Sequence, residues 1–134
     1  MFTHRHCVVP LAVVAAASSM ATAPALAYDD REFYVAVQEF ARAANKDIGL
    51  WIDRTTRNDG VTASCNTRIV EFKRFINVRL ASVDRSWHEG KAEEWNKRHC
   101  GNPIWTEAIR SGWKIELSIT ATDGRHVSLR ARCP

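Results

Sequence analysis

Residues 112–133 read GWKIELSITATDGRHVSLRARC, and this run decides the fold. Trp113, Ile115, Leu117 and Ile119 alternate with Lys114, Glu116, Ser118 and Thr120. On the return, Val127, Leu129, Ala131 and Cys133 alternate with His126, Ser128, Arg130 and Arg132. A period of two in both runs, with turn chemistry between them, predicts an antiparallel hairpin with one buried face. Directly opposed residues share a face, which sets the register. A two-residue Asp123-Gly124 loop would oppose Ile119 to Ser128. A three-residue loop, Thr122-Asp123-Gly124, opposes Ile119 to Val127 and Leu117 to Leu129, and places Gly124 at the left-handed position such loops need. Trp113 then lies opposite Cys133.

Immediately upstream, Asn102, Pro103 and Gly112 mark a short helix: a side-chain N-cap, proline at the first helical position, and glycine past the end. A longer helix precedes it. Ser86-Trp87-His88-Glu89 has capping-box spacing, although Val83, Trp87 and Trp95 share a face and allow an earlier start. Near the N-terminus, Asp29 or Asp30 caps a helix whose apolar face is Phe33, Val37, Phe40 and Ala44, with Asn45 at its end. Ile48 to Asp53 reads as a strand with Ile48, Leu50 and Ile52 inward and Trp51 on the other side. Residues 53–60 read as a polar turn, because Asn58-Asp59-Gly60 is turn chemistry. Thr67 to Asn77 reads as a second strand of mixed pattern, with a bulge or two-sided burial. The expected order is α-β-β-α-α-β-β: a small two-layer α+β domain with an antiparallel sheet of about four strands and helices on one face.

The first 27 residues stand apart. His4, Arg5 and His6 precede an apolar run from Val8 to about Ala17, and Ala25-Leu26-Ala27 offers small-x-small cleavage. This is the pattern of a secretory signal peptide, expected to be cleaved near Ala27. The run is short of the roughly 20 residues a spanning helix needs. Residues 28–134 then form one domain in the periplasm or outside the cell. Charge is mild: 19 Lys and Arg against 15 Asp and Glu, a formal +4, spread along the chain. Nucleic-acid binding, which concentrates basic residues, is not expected.

Export makes the cysteines informative. Of Cys65, Cys100 and Cys133, two should pair in an oxidising compartment. Cys100–Cys133 is preferred, since it staples a helix end to the last strand across a loop worth about 3 kcal/mol in the chain-entropy model. Cys65–Cys133 and Cys65–Cys100 stay open. Cys65 is the expected free thiol, either buried and inert or engaged in an intermolecular or mixed disulfide.

Side chains that carry chemistry are few. Asp53, Arg54, Arg57 and Asp59 form the densest charged group. Its two carboxylates suit acid-base work only if their environments separate their pKa values, and the two arginines favour an ion-pair network instead. His88, His99 and His126 lack metal-ligand spacing, and no nucleophile, phosphate-loop or zinc motif is present. No catalytic residue, metal or cofactor is expected. Trp51 and Trp105 sit off the main apolar face of their elements and are candidates for exposed platforms. Arg130 and Arg132 belong to an outward face able to meet an anion.

The segment Asp53-Arg54-Thr55-Thr56-Arg57-Asn58-Asp59-Gly60 resembles a pattern in small exported bacterial proteins with no assigned chemistry. So does the tail running from Cys100 through the short helix, Gly112 and the hairpin to Cys133. The tail is also similar in layout to the small disulfide-bonded pilotins of type II secretion. That likeness implies an α+β fold, a Cys100–Cys133 disulfide and binding of a helix of an outer-membrane secretin. Such pilotins are typically lipoproteins, whereas residue 28 here is Tyr28, and Cys65 has no counterpart in them. The reading reached is a soluble exported binding module that engages an envelope protein or peptide through a groove or sheet edge. The alternatives are an envelope enzyme or enzyme inhibitor using the Asp53–Asp59 loop, and a structural domain that dimerises through Cys65.

Overall fold

In the computed structural model, residues 29–134 are described; the expected signal peptide and its expected cleavage near Ala27 lie outside them. The chain is an α+β domain in the expected order. Helix α1 (Asp30–Asn45) is followed by strands β1 (Thr56–Ser64) and β2 (Ile69–Ile76). Helices α2 (Arg85–Cys100) and α3 (Pro103–Arg110) come next, then strands β3 (Lys114–Ala121) and β4 (His126–Arg130). The four strands lie side by side in chain order. Both hairpins are antiparallel, and the central pair, β2 with β3, is parallel, so the sheet is mixed. The expectation of an antiparallel sheet holds for the outer pairs only. The helical connection returns the chain to the starting end of β2, with Lys114 beside Ile69. Parallel neighbours require a crossover of this kind.

The β3–β4 hairpin has the predicted register, Leu117 against Leu129 and Ile119 against Val127, and Gly124 takes a φ of 75° in the loop. Val70, Phe72 and Ile76 of β2 share the helix-covered face with Ile115, Leu117, Ile119 and Ala121 of β3, and all are buried. Lys114, Glu116 and Thr120 face the other way, where Arg130 pairs with Glu116 at 2.6 Å.

The first hairpin departs from expectation. Residues 48–53 form no strand; Trp51 makes one isolated bridge to Arg57, and Ile48, Leu50 and Ile52 are more than half exposed rather than inward. The strand is the polar run TRNDGVTAS, which had the chemistry of a turn. The Asn58 side chain explains the reversal. Its amide donates to the carbonyls of Ala44 and Asp47, and its oxygen accepts from the Gly60 N–H. Asn58 thereby satisfies backbone groups left open where α1 ends, and the register slips by one residue at Asp59. Gly60 takes a φ of 112° at this bulge, where an added Cβ would lie 3.2 Å from Asn45 and Ile48. Asn45 closes the outer edge of β1 by donating to the Val61 carbonyl and accepting from its N–H.

The other helix ends follow sequence logic. Asp29 caps α1, Asp84 caps α2 from two residues ahead of the capping-box Ser86, and Asn102 caps α3. On α1 the buried stripe is Phe33, Val37 and Ala41; Phe40, expected inside, is 45% exposed. Asp30 accepts from both Arg68 Nη2 and Trp113 Nε1, tying α1 to the start of β3.

Candidate functional site

The contacts of α1 fall on β1 and α3, and those of α2 fall on α3 and β4. Beside α2, a cleft opens over β2 and β3. Its floor is Arg74, Ile76, Leu117 and Ile119. The α2 wall supplies Lys91, Glu94, Trp95 and Arg98, and Ile52, Asp53 and Thr56 stand opposite. The cleft is open to solvent on one side and holds about 90 Å³, room for about three waters. Small-molecule sites are usually at least about 300 Å³. Beyond Arg74 the apolar lining continues, with the Phe72 ring 5.8 Å from its guanidinium and the half-exposed Phe40 ring 5.8 Å from Phe72. Behind the α2 wall, Trp95 donates to the Ile115 carbonyl, and its ring lies 5.0 Å from Phe72.

Arg74 is the unusual member. It shares a sheet face with Phe72 and Ile76, so the strand turns its charge toward the core. Burial, and then the positive charge of Arg98, pull its pKa below the ordinary arginine value; it remains protonated, as arginine does in proteins. Nη1 donates to Asn58 Oδ1 at 2.8 Å and to the Lys73 carbonyl at 2.9 Å. Asp59, the acid whose field reaches it, is held by Arg57 at 2.8 Å. Glu94, on the wall, lies within 4 Å of Lys91 and Arg98.

The predicted charged cluster is thus divided. Asp53 accepts from the N–H groups of Thr55 and Thr56, which lower its pKa, the Thr55 bond most. It fixes its own turn at the cleft rim. Arg57 and Asp59 pair beside the sheet edge, where the Arg57 guanidinium lies 4.5 Å from the Phe75 ring centre and 6.0 Å from Trp51. Arg54 is exposed. Trp51 is half exposed as expected, but Trp105 is partly buried and packed edge-on against Phe33 and Phe72. Arg130 is occupied by Glu116, and Arg132 is exposed just past β4. No group of three or more His, Cys, Asp or Glu among the described residues is placed to hold a metal.

Cys100 and Cys133 form the preferred disulfide. Cys65 is not the expected free thiol. It too is disulfide-bonded. Arg74 and Trp95, the central residues of the cleft, were not singled out as a site. The available signal was a lone arginine among apolar neighbours in Val70–Ile76, on the parity of Phe72.

No family model matches this chain, and no curated protein matches it. Two solved structures are similar. One is a Pseudomonas aeruginosa protein described as secreted, with 15% identity and a TM-score of 0.58 over 79% of this chain and 94% of that one. The other is EpsS, the pilotin of the Vibrio vulnificus type 2 secretion system, with 12% identity and a TM-score of 0.54 over 76% and 89%. The chain shares their fold. The expected resemblance to small exported proteins and to pilotins is found at the level of architecture, with little residue identity.

Proposed function

We propose that this protein is an exported binding module that holds a segment of another protein in the cleft between α2 and residues 52–56. The cleft itself carries the reading. It has a largely apolar floor and one inward charge, is too small for an ordinary small-molecule substrate, and has the exposed Ile52 in its lining, with the half-exposed Phe40 packed on Phe72 beside Arg74. An apolar surface of that kind is normally covered by a partner. Export is supported by the leader pattern of residues 1–27 and by the Cys100–Cys133 disulfide, a bond that persists in oxidising compartments. The shared fold with a protein described as secreted and with a pilotin is consistent with both parts. Among the described residues no helix is long and apolar enough to cross a membrane.

The test is a photo-reactive phenylalanine analogue placed at Phe40 or Ile52, with Thr120 on the opposite sheet face as control, in protein exported by living cells. A discrete protein adduct is expected from the first two positions and not from Thr120. Adducts that form equally at all three positions, or none from the cleft, overturn the proposal.

A further inference from the structure

The Arg74 guanidinium has five N–H donors, and both of its hydrogen bonds use Nη1. The Nε–Nη2 edge, the side that grips a carboxylate with two parallel bonds, has no hydrogen-bond partner among the described residues. That edge is not sealed in the core, because among the described residues the only buried side-chain polar atom without a partner is Arg68 Nε. Nor is Arg74 a loose surface arginine. Asn58 anchors its other edge, and Asn58 is itself only 7% exposed and bonded to the end of α1. The lining carries Arg74, Lys91 and Arg98 against Asp53 and Glu94. Asp53 is engaged by its turn and Glu94 by two cations, so neither neutralises Arg74.

We propose that the segment docked in this cleft carries an aspartate or glutamate flanked by apolar residues, and that its carboxylate is received by the Nε–Nη2 edge of Arg74. The inference rests on the docking reading above and names what the cleft selects. The cleft's volume suits a single side chain. Ile52 in the lining and Phe40 packed on Phe72 beside Arg74 call for apolar residues flanking the acid, which a free small anion does not bring. Arginine is specific here, since lysine brings charge without a planar fork.

The probe is the peptide N-acetyl-Leu-Glu-Leu-amide, titrated into the exported, disulfide-intact protein while the Arg74 Nε–H and Trp95 indole N–H resonances are followed by NMR. Both should shift. N-acetyl-Leu-Gln-Leu-amide, of the same shape without the charge, should bind at least roughly tenfold more weakly, the scale of a charge-assisted hydrogen bond. Arg74→Lys should lose binding to the same extent. Equal binding of the two peptides overturns the inference without relying on any variant's folding, as does unchanged binding by Arg74→Lys. Acetate binding as tightly as the peptide would make this a small-anion site and also overturn it. Peptides that fail to shift either resonance, in a protein that still gives photo-adducts from Phe40 and Ile52, overturn the carboxylate inference while the docking reading stands. Absence of both removes the docking reading itself.

Discussion

Asn58 makes four hydrogen bonds with a single amide: two donated to the end of α1, one accepted from Gly60 and one from Arg74. Because it is buried, Asn58→Ala leaves helix carbonyls and the Gly60 N–H without partners, at a cost of about 2–3 kcal/mol. Urea unfolding should show that loss. His99 is a second buried polar group. Burial lowers its pKa from 6.5, Arg98 adds to this, and the hydrogen bond from Nδ1 to the Trp95 carbonyl opposes it. The folded state therefore binds the proton less readily than the unfolded chain. Stability is full above about pH 6.5 and falls as pH drops from there through the lower folded value. His99→Phe should abolish the slope of unfolding free energy between pH 6.5 and 5. Asp53, Asp84 and Asp123 act in a lower window. Hydrogen bonds hold each below 3.8, led respectively by the Thr55 N–H, the Ser86 hydroxyl and the Ala81 N–H. What they contribute is present above that value and is lost in stronger acid, so the His99→Phe variant should keep its acid limb.

Among the elements, α2 has weak amphipathy of its own, since charged residues surround Trp95 and His99. The helix depends on its caps, on contacts with α3 and β4, and on the disulfide at its last residue. Cys100–Cys133 closes a separation of 33 residues, worth about 3–4 kcal/mol in the chain-entropy model. The double variant Cys100→Ser, Cys133→Ser should unfold at correspondingly lower denaturant, with the C-terminal end of α2 losing hydrogen-exchange protection. β1 shows the opposite dependence. Its residues have little strand propensity and stay extended because β2 pairs with them on one side and Asn45 brackets Val61 on the other.

At the scale of the molecule, a small domain leaves large apolar side chains outside while a nearly complete core lies beneath. Leu50 and Ile52 are 60% and 58% exposed, so each changed to serine should shift stability by no more than about 0.5 kcal/mol. The same changes should weaken photo-adduct formation from Phe40 if the cleft is the docking surface. A variant that loses stability without affecting adducts would instead assign these side chains to folding.

The hairpin register, the α3 boundaries and the Cys100–Cys133 pairing were legible in the chain. Each rests on local chemistry: alternation of period two, an Asn-Pro start with a glycine stop, and a cysteine held beside a helix end. What tertiary structure alone decided is the first hairpin and the cleft. Ile48, Leu50 and Ile52 alternate like a strand but find no sheet face to cover. Asn58-Asp59-Gly60 reads as a turn until α1 presents carbonyls for Asn58 to satisfy. Arg74 belongs to a strand whose parity is visible, but its half-engaged guanidinium depends on Asn58 lying across the sheet and on Asp59 being taken by Arg57. Local patterns set which way a side chain faces. Only the packed chain sets which donors are left without an acceptor, because the competing partners arrive from distant parts of the sequence.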